Sequence, residues 1–228
     1  MKIVKHLFNL FYPSTCICCE QILLDQEKII CIECRADLPF VENGDFRSNQ
    51  LTLIFEGRVL IEKGASFLYY HPSGKVKKLI HELKYKNNQE VGEFLGKWFG
   101  ERLLKSTKFK DIDFIIPVPL HIKKQQKRGY NQLTKFGDSL STVLHTKYLE
   151  NVLIRSSTSK TQTFKNRMER FENLMTNFSI TDTALLKNKH ILLIDDVVTT
   201  GATLEACCKE LLGTENIRIS IATIALTE

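Results

Sequence analysis

Two adjacent carboxylates and a run of hydroxyl-bearing residues lie close together near the C-terminal end of the chain. Asp195 and Asp196 follow four apolar residues, 191–194, which are typical of a buried parallel strand. Residues 199–203 read TTGAT, and a helical pattern runs from 204 to 212. A strand, a tight turn and a helix in this order place backbone N–H groups and a helix N-terminus around one point. That arrangement favours the binding of a phosphate group.

The side chains of this segment narrow the choice of ligand. The threonine hydroxyls are hydrogen-bond donors, and the glycine lets the backbone approach a ligand closely. The two acids cannot hold a phosphate, so we expect them to accept hydrogen bonds from a diol or to face a metal ion. Phosphoribosyl pyrophosphate (PRPP) combines a 5′-phosphate, a ribose diol and bound magnesium. The predicted PRPP-binding residues are Asp195, Asp196, Thr199, Thr200, Gly201, Ala202 and Thr203.

Other interpretations of this segment account for fewer of its residues. A strand that ends in a polar turn is the simplest alternative, and it would account for an isolated pair of acids. The glycine patterns of a Walker loop and of a dinucleotide fold do not occur. A phospho-receiver domain would need another Asp two βα units later. The whole 13-residue run resembles the PRPP motif of the type I phosphoribosyltransferases. Thr199 stands where the 6-oxopurine branch of these enzymes has an Asp general base, which disfavours a 6-oxopurine acceptor.

The cysteines predict a second site, near the N-terminal end. Two C-x-x-C pairs are separated by 11 residues, and four thiolates in such pairs suit a closed tetrahedral zinc site with a structural role. The separation is shorter than the usual spacing, so the module must be compact. Free thiols and an iron–sulfur cluster are the alternatives. Cys18 is treated as spare, because only Cys16 gives the two-residue spacing. The predicted zinc ligands are Cys16, Cys19, Cys31 and Cys34.

The composition of the whole chain sets wider limits. With 228 residues, 43% of them hydrophobic, the chain is long enough for one domain and a small module. No apolar run approaches the roughly 18 residues of a membrane span. The first residues lack the apolar length and cleavage site of a signal peptide, and a short helix is expected there instead. We therefore expect a cytoplasmic protein with reduced thiols. The net charge of +6 favours anionic ligands, either a pyrophosphate or a nucleic acid.

Hydrophobic periodicity predicts strands that alternate with helices. This order argues for a parallel α/β sheet that binds ligands at the carboxyl ends of its strands. Strands are predicted at 65–70, 114–118, 152–155, 178–180, 191–194 and 217–226, and helices at 74–85, 90–104, 131–144, 164–175 and 204–212.

Several segments together resemble the ComF family. They are the leading cysteine pairs, HELKY at 81–85, PVPLHIKKQQKRGYNQ at 117–132, TQTFKNRMERFEN at 161–173 and the phosphate motif. The resemblance implies an amino-terminal zinc ribbon and a type I phosphoribosyltransferase-like domain, an α/β fold with a parallel sheet flanked by helices. It also implies an association with competence, which is the uptake of DNA.

The resemblance extends to further site residues. It implies a pyrophosphate loop at 117–120 and a signature at 128–132 near it, while 156–170 would be a mobile loop. The residues singled out on this basis are Lys84, Pro119, Leu120, Arg128 and Gly129 in and around the pyrophosphate loop, and Arg167 and Arg170 in the mobile loop.

These patterns leave two functional hypotheses and one domain division. In the first hypothesis the protein transfers phosphoribosyl from PRPP to an unknown acceptor and releases pyrophosphate. In the second it is a non-catalytic protein that handles single-stranded DNA, through Tyr130 and the lysines at 123, 124 and 127, and retains the ligand pocket. Other competence proteins are candidate partners. The expected division is a zinc ribbon at 1–40, a connecting segment or hood at 41–63, and a phosphoribosyltransferase-like domain at 64–228.

Overall fold

The computed structural model describes residues 13–85, 88–120, 126, 128–155 and 178–227. Several predictions concern residues outside these ranges: the N-terminal helix, the helix at 164–175, Lys123, Lys124, Lys127, Arg167 and Arg170.

A five-stranded parallel sheet forms the centre of the described structure. Its strands follow the spatial order β1-β7-β6-β2-β3, and every neighbouring pair is parallel. The three central strands are apolar along most of their length, as expected for a sheet that is covered on both faces. The parallel α/β sheet predicted from the sequence is confirmed. The strands are β1 (Lys63–Tyr70), β2 (Phe114–Pro117), β3 (Lys147–Tyr148), β6 (His190–Val198) and β7 (Arg218–Thr227).

Helices of different lengths connect and cover the strands. The four long helices each bury an apolar stripe with helical spacing against the sheet or a neighbouring helix. A separate two-stranded antiparallel hairpin is formed by β4 (Leu153–Arg155) and β5 (Phe178–Ile180). The helices are α1 (Ile32–Ala36), α2 (Gln50–Leu53), α3 (Lys75–Tyr85), α4 (Gln89–Ser106), α5 (Thr134–Leu144), α6 (Thr183–Leu186) and α7 (Ala202–Leu211).

The sheet separates two apolar clusters. Side chains alternate along β6, so that Leu192 and Ile194 belong to one cluster while Ile191 and Leu193 belong to the other. The first cluster also contains apolar residues of the cysteine-rich segment, among them Ile30, together with those of α3 and α4. The cysteine-rich segment therefore shares a core with the sheet.

The sequence prediction of β6 was wrong at its carboxyl end. The strand was expected to stop at Ile194, but it continues through both acids to Val198. The register with β7 continues as well, since Asp195 lies opposite Thr223 and Val198 opposite Leu226. The two acids are thus held by strand pairing, and the turn begins only after them.

Candidate functional site

The carboxyl ends of β6 and β2 lie side by side and bring two predicted segments together. The two strands pair in parallel, and the Val118 N–H donates to the carbonyl oxygen of Ile194 at 2.9 Å. Pro119 and Leu120 follow directly, half-buried, next to the strand that carries the acid pair. Ligands of open α/β sheets bind at this edge of the sheet. Strand pairing therefore places the predicted pyrophosphate loop beside the acids.

The turn between β6 and α7 has the geometry of an anion site. Gly201 adopts a left-handed conformation with φ of 73° and is the N-cap of α7. The N-cap Gly201 has no side chain to cap the helix, and the Ala202 N–H makes only a long contact of 3.5 Å with Thr200 Oγ1, so the first amides keep their capacity to donate to a ligand. Asp195 and residues 197–204 line a small cavity of about 50 Å³. All seven predicted PRPP-binding residues lie on this stretch, which runs from the end of the strand into the helix.

Two donors on other elements hold Asp196. Lys84, in the last turn of α3, donates from Nζ to Oδ1 at 2.7 Å, and Gln132 donates from Nε2 to Oδ2 at 2.6 Å. Arg128 in turn donates from Nη1 to Gln132 Oε1 at 2.7 Å, and this contact orients the Gln132 amide. Asp196 and Gln132 are both buried. Side chains from two segments that are distant from Asp196 in sequence thus converge on its carboxylate.

Asp195 differs from its neighbour in its electrostatics. Its Oδ1 accepts a hydrogen bond from the Asp196 N–H at 2.8 Å. Desolvation, followed by the charge of Asp196, raises the pKa of the Asp195 carboxyl to about 8. Lys84 acts in the opposite direction on this pKa and does not offset the rise. The pair therefore consists of one ion-paired carboxylate and one carboxyl that holds its proton near neutral pH.

The signature at 128–132 packs against the end of α3. Gly129 has φ of 76°, and the Tyr130 hydroxyl donates to the Leu83 carbonyl oxygen at 2.8 Å. The Arg128 guanidinium carbon lies 5.1 Å from the centre of the Tyr85 ring. Tyr85 itself is 65% exposed, whereas Tyr130 is half-buried. The aromatic ring that faces solvent here is therefore Tyr85.

One contact of the site was missed by the sequence analysis. The segment at 41–63 gave no chemical signal, yet Arg58 donates to the Thr200 carbonyl oxygen at 2.8 Å and forms an ion pair with Glu205. These partners are 142 and 147 residues away in sequence. A local sequence pattern does not indicate a contact between residues so far apart in sequence.

The four cysteines predicted as zinc ligands form a second cluster. The sulfurs of Cys16, Cys19, Cys31 and Cys34 all lie within 4.8 Å of one another, and those of Cys19 and Cys31 are 3.6 Å apart. Tetrahedral zinc with Zn–S bonds of about 2.3 Å requires spacings of this order. Backbone N–H groups of Cys31 and Cys34 point to the sulfurs of Cys16 and Cys31, both at 3.4 Å. The cluster fits a structural zinc ion.

The thiols of the CICC segment have different environments. Burial raises the pKa of the Cys16 thiol, but backbone N–H groups of Cys31, Cys19 and Cys18 outweigh it and lower this pKa to about 6. Cys18 lies outside the cluster, its Sγ faces the Lys75 carbonyl oxygen at 3.8 Å, and burial raises its pKa to about 12. A low thiol pKa favours the thiolate that a metal binds. Cys16 is therefore better suited than Cys18 as a ligand.

Comparison with known proteins agrees with the geometry. The model of the phosphoribosyl transferase domain matches residues 132–227, starting at the glutamine that contacts Asp196. Competence protein F of Haemophilus influenzae is 35% identical over 150 residues, which cover 62% of this chain and 64% of that protein. Competence protein ComFC of Bacillus subtilis is 28% identical over 144 residues, 63% of this chain and 56% of that protein. These relatives and the matched domain support the resemblance of the chain to the ComF family.

The chain has further relatives with other names. DNA utilization protein YhgH of Escherichia coli is 31% identical over 137 residues, 59% of this chain and 60% of that protein. The matches thus span less than two thirds of the length of the curated relatives.

Solved structures with a similar fold are more distant. Adenine phosphoribosyltransferase from Saccharomyces cerevisiae is 16% identical, with a TM-score of 0.39 over 63% of this chain and 72% of that one. Glutamine PRPP amidotransferase of Bacillus subtilis is 13% identical, with a TM-score of 0.41 over 62% of this chain and 30% of that one. The matched domain and the parallel sheet confirm the type I phosphoribosyltransferase-like fold predicted from the sequence.

The described helices include no candidate membrane span. None of those within the described ranges combines the length and the apolar character that are needed to cross a bilayer.

Proposed function

We propose that the carboxyl edge of β6 binds PRPP. The observation that supports this proposal is that Asp195, next to Asp196 on the strand, and the N-terminus of α7, which has no side-chain cap from its N-cap residue, lie around one small cavity. The turn at 199–203 receives the 5′-phosphate through backbone amides and threonine hydroxyls. Asp195 and Asp196 accept hydrogen bonds from the ribose hydroxyls, and the neighbouring loop with Pro119 and Leu120 receives the pyrophosphate.

Lys84 and Gln132 have a defined part in this proposal. In the ligand-free protein they neutralise and orient Asp196, so the carboxylate is held in place before a diol arrives. The Lys84 ammonium adds a positive charge beside the site, which favours a ligand with several phosphate charges. Magnesium fits the same edge, because carboxylate oxygens are ligands that it prefers, and when bound it would neutralise pyrophosphate charge.

The proposed reaction is phosphoribosyl transfer to an acceptor with release of pyrophosphate. Its transition state resembles an oxocarbenium ion at the anomeric carbon. The chain's residues would contribute by positioning the sugar and by stabilising charge. The names of the relatives from Haemophilus and Bacillus support a competence context for this activity, with other competence proteins as partners. The proposed compartment is the cytoplasm, where a site of four thiolates stays reduced.

Calorimetry with PRPP and magnesium tests the binding proposal. Replacing both acids, Asp195→Asn with Asp196→Asn, should abolish binding, because the diol loses its charged acceptor at Asp196 together with the carboxyl group of Asp195. Thr203→Val should weaken binding by roughly 1–3 kcal/mol, the cost of an unpaired polar contact. Asp138→Asn is the matched control, since it removes the same charge from an exposed position on α5. Unchanged affinity in the double variant would refute the site, and pyrophosphate release against a panel of nucleobases and amines would identify the acceptor.

The exposed face of α3 supports a second candidate function, contact with single-stranded DNA. Lys77, His81 and Tyr85 lie on this face at helical spacing and are exposed. The His81 and Tyr85 rings are 5.1 Å apart, and Arg128 lies over the Tyr85 ring. Positive charge beside an aromatic platform is the usual surface for unpaired bases. Tyr85 takes the stacking role that the sequence analysis gave to Tyr130.

Filter binding across a salt series tests the DNA candidate. The affinity for a single strand should fall steeply with salt, because each neutralised phosphate releases counterions. Tyr85→Ala should weaken binding by about 1–3 kcal/mol if a base stacks there. Tyr130→Phe is the control, since it keeps a ring and removes only the hydroxyl bound to the backbone of α3. DNA binding that is absent or insensitive to salt in the parent protein would end this candidate.

Variants of the lysines at 123, 124 and 127 distinguish the two proposed functions. Neutralising Lys123, Lys124 and Lys127 should flatten the salt dependence of DNA binding if these lysines contact DNA. The affinity for PRPP should then remain, because its anchor is the turn after β6. Loss of PRPP affinity with unchanged DNA binding would assign the lysines to the pyrophosphate instead.

A further inference from the structure

Arg58 contacts the phosphate turn but does not line its cavity. Its Nη1 donates to the carbonyl oxygens of Thr200, at 2.8 Å, and of Ile54, at 3.0 Å. Its Nη2 forms an ion pair with Glu205 in the first turn of α7. One guanidinium therefore ties together the connecting segment, the turn and the start of the helix. The planar fork of donors makes arginine suited to such a bridge.

The contact with Thr200 determines where the next amide points. The carbonyl of Thr200 and the N–H of Gly201 belong to the same peptide unit, and in a trans peptide they point in opposite directions. A donor that holds the carbonyl on one side therefore holds the N–H on the other. Thr200 and Gly201 both line the cavity, so the direction of this N–H matters for a ligand that binds there.

The residues before Arg58 restrict the same peptide. A Cβ on Gly201 would lie 2.7 Å from Ile54 Cγ2 and 3.0 Å from Phe55 Cε1, so the two side chains leave room for glycine alone. Phe55 is fully buried and cannot move aside without opening the core. The peptide is therefore enclosed by Ile54 and Phe55 and fixed in rotation by the guanidinium.

We propose that Arg58 is a positioning residue for the phosphate turn, which acts through the Thr200 carbonyl to aim the Gly201 N–H at a bound phosphate. The role rests on the proposed function, since it assumes that the turn binds a phosphorylated sugar. In this role Arg58 itself touches no ligand, because it does not line the cavity. Its positive charge also polarises the Thr200–Gly201 peptide and makes the amide a stronger donor.

The test combines binding of ribose 5-phosphate with nuclear magnetic resonance of the ligand-free protein. Arg58→Ala should weaken ribose 5-phosphate binding roughly tenfold or more, as expected for a charge-assisted hydrogen bond. The carbonyl carbon of Thr200 and the amide of Gly201 should shift in the same variant without ligand. Arg58→Lys should restore part of the affinity, because one ammonium can reach either Thr200 or Glu205 but does not form the fork.

Lys209→Ala is the matched control. Lys209 pairs with the other oxygen of Glu205, Oε1, at 2.6 Å, and is not among the donors to Thr200. Losing it should leave the affinity and both resonances unchanged. Unmoved resonances in Arg58→Ala, or an equal loss of affinity in Lys209→Ala, would overturn the proposal. If Arg58→Ala does not fold, Arg58→Lys and Glu205→Gln provide the same readouts.

Failure of this inference and failure of the proposed function give different results in these measurements. A parent protein that does not bind ribose 5-phosphate would refute the phosphate site. The two resonances would still decide whether Arg58 fixes the peptide.

Discussion

At the scale of single residues, two neighbouring acids of the same type occupy different electrostatic states. Asp196 has a cationic partner and an amide donor at 2.7 and 2.6 Å, whereas Asp195 is desolvated beside that charge. Desolvation and like charge favour the neutral carboxyl, while a nearby cation favours the carboxylate. The pair thus offers a ribose diol one charged acceptor and one group that can also donate a proton.

This difference predicts a pH effect on stability. The folded pKa of Asp195, about 8, lies above the unfolded value of about 3.9. Between these values the folded state binds more protons, so the contribution of Asp195 to stability falls as the pH rises from 4 to 8. Asp195→Asn should remove this loss and gain at least about 1.4 kcal/mol over the parent near pH 9, the equivalent of one pKa unit. Urea unfolding at pH 5 and pH 9 measures it, and parallel profiles of parent and variant would contradict it.

At the scale of elements, α4 and α5 approach each other closely through glycine. A Cβ on Gly96 would lie 3.1 Å from both the Cα and the carbonyl carbon of Phe136, and closer still to its carbonyl oxygen. These are backbone atoms of α5, and they cannot rotate away as a side chain can. The close approach seats α5 over the sheet, and the buried Gln132 precedes this helix by two residues.

Gly96→Ala should therefore destabilise the protein although alanine is the better helix former. The propensity gain of about 1 kcal/mol is outweighed by overpacking against the helix backbone, and we expect a net loss of about 1–3 kcal/mol. The midpoint of urea unfolding at constant slope measures this loss. Gly74→Ala is the control, because its Cβ would meet only His71 atoms at 3.4 and 3.5 Å. A Gly96→Ala protein as stable as the control would show that the helices separate at no cost.

Periodicity predicted the elements well where the pattern was long and apolar. The helix predicted at 74–85 is observed at Lys75–Tyr85, and the strand predicted at 217–226 is observed at Arg218–Thr227. The strand β3 was missed because two residues, Lys147 and Tyr148, carry no period. The prediction ended strand β6 too early because acids are rare in strands. In the structure, its pairing with β7 overrides that preference.

The site was predictable only where its residues are local in sequence. The turn after β6 has its strand, acids, hydroxyls and helix within a short run, so the spacing itself carries the chemistry. Lys84 and Arg128 were named through family resemblance, and their contacts with Asp196 and Gln132 appear only in the fold. Neither local spacing nor family resemblance indicated Arg58, because only the tertiary structure brings Thr200 to it.

At the scale of the whole molecule, the cysteine-rich segment is part of the main core. Cys16, Ile30 and Leu38 belong to the same buried cluster as Leu79 of α3 and Phe99 of α4. Removing a metal from this segment would therefore disturb apolar packing beyond the segment itself. We expect one cooperative unfolding transition for the segment and the sheet together.

The purified protein should carry about one zinc ion per chain. Cys31→Ser should lose the ion and lower the midpoint of that single transition. Cys18→Ser is the matched control and should keep the ion, since Cys18 lies outside the cluster. Metal analysis with calorimetric melting measures both effects. Absence of zinc, two disulfides in this segment, or separate melting of the segment would each contradict this assignment.

The helix α3 touches the cysteine-rich segment with one end and the acid pair with the other. Lys75 pairs with Asp37 at 2.6 Å and Lys78 donates to the Cys18 carbonyl oxygen at 2.7 Å, while Lys84 reaches Asp196 at the far end. Binding at the two ends should then be thermodynamically linked, so that zinc strengthens PRPP binding by the same factor by which PRPP strengthens zinc retention. Competition with a chelator, with and without PRPP, measures this factor. The supply of metal would thereby influence the affinity for a phosphorylated sugar over the nine-residue separation from Lys75 to Lys84, about two and a half helical turns.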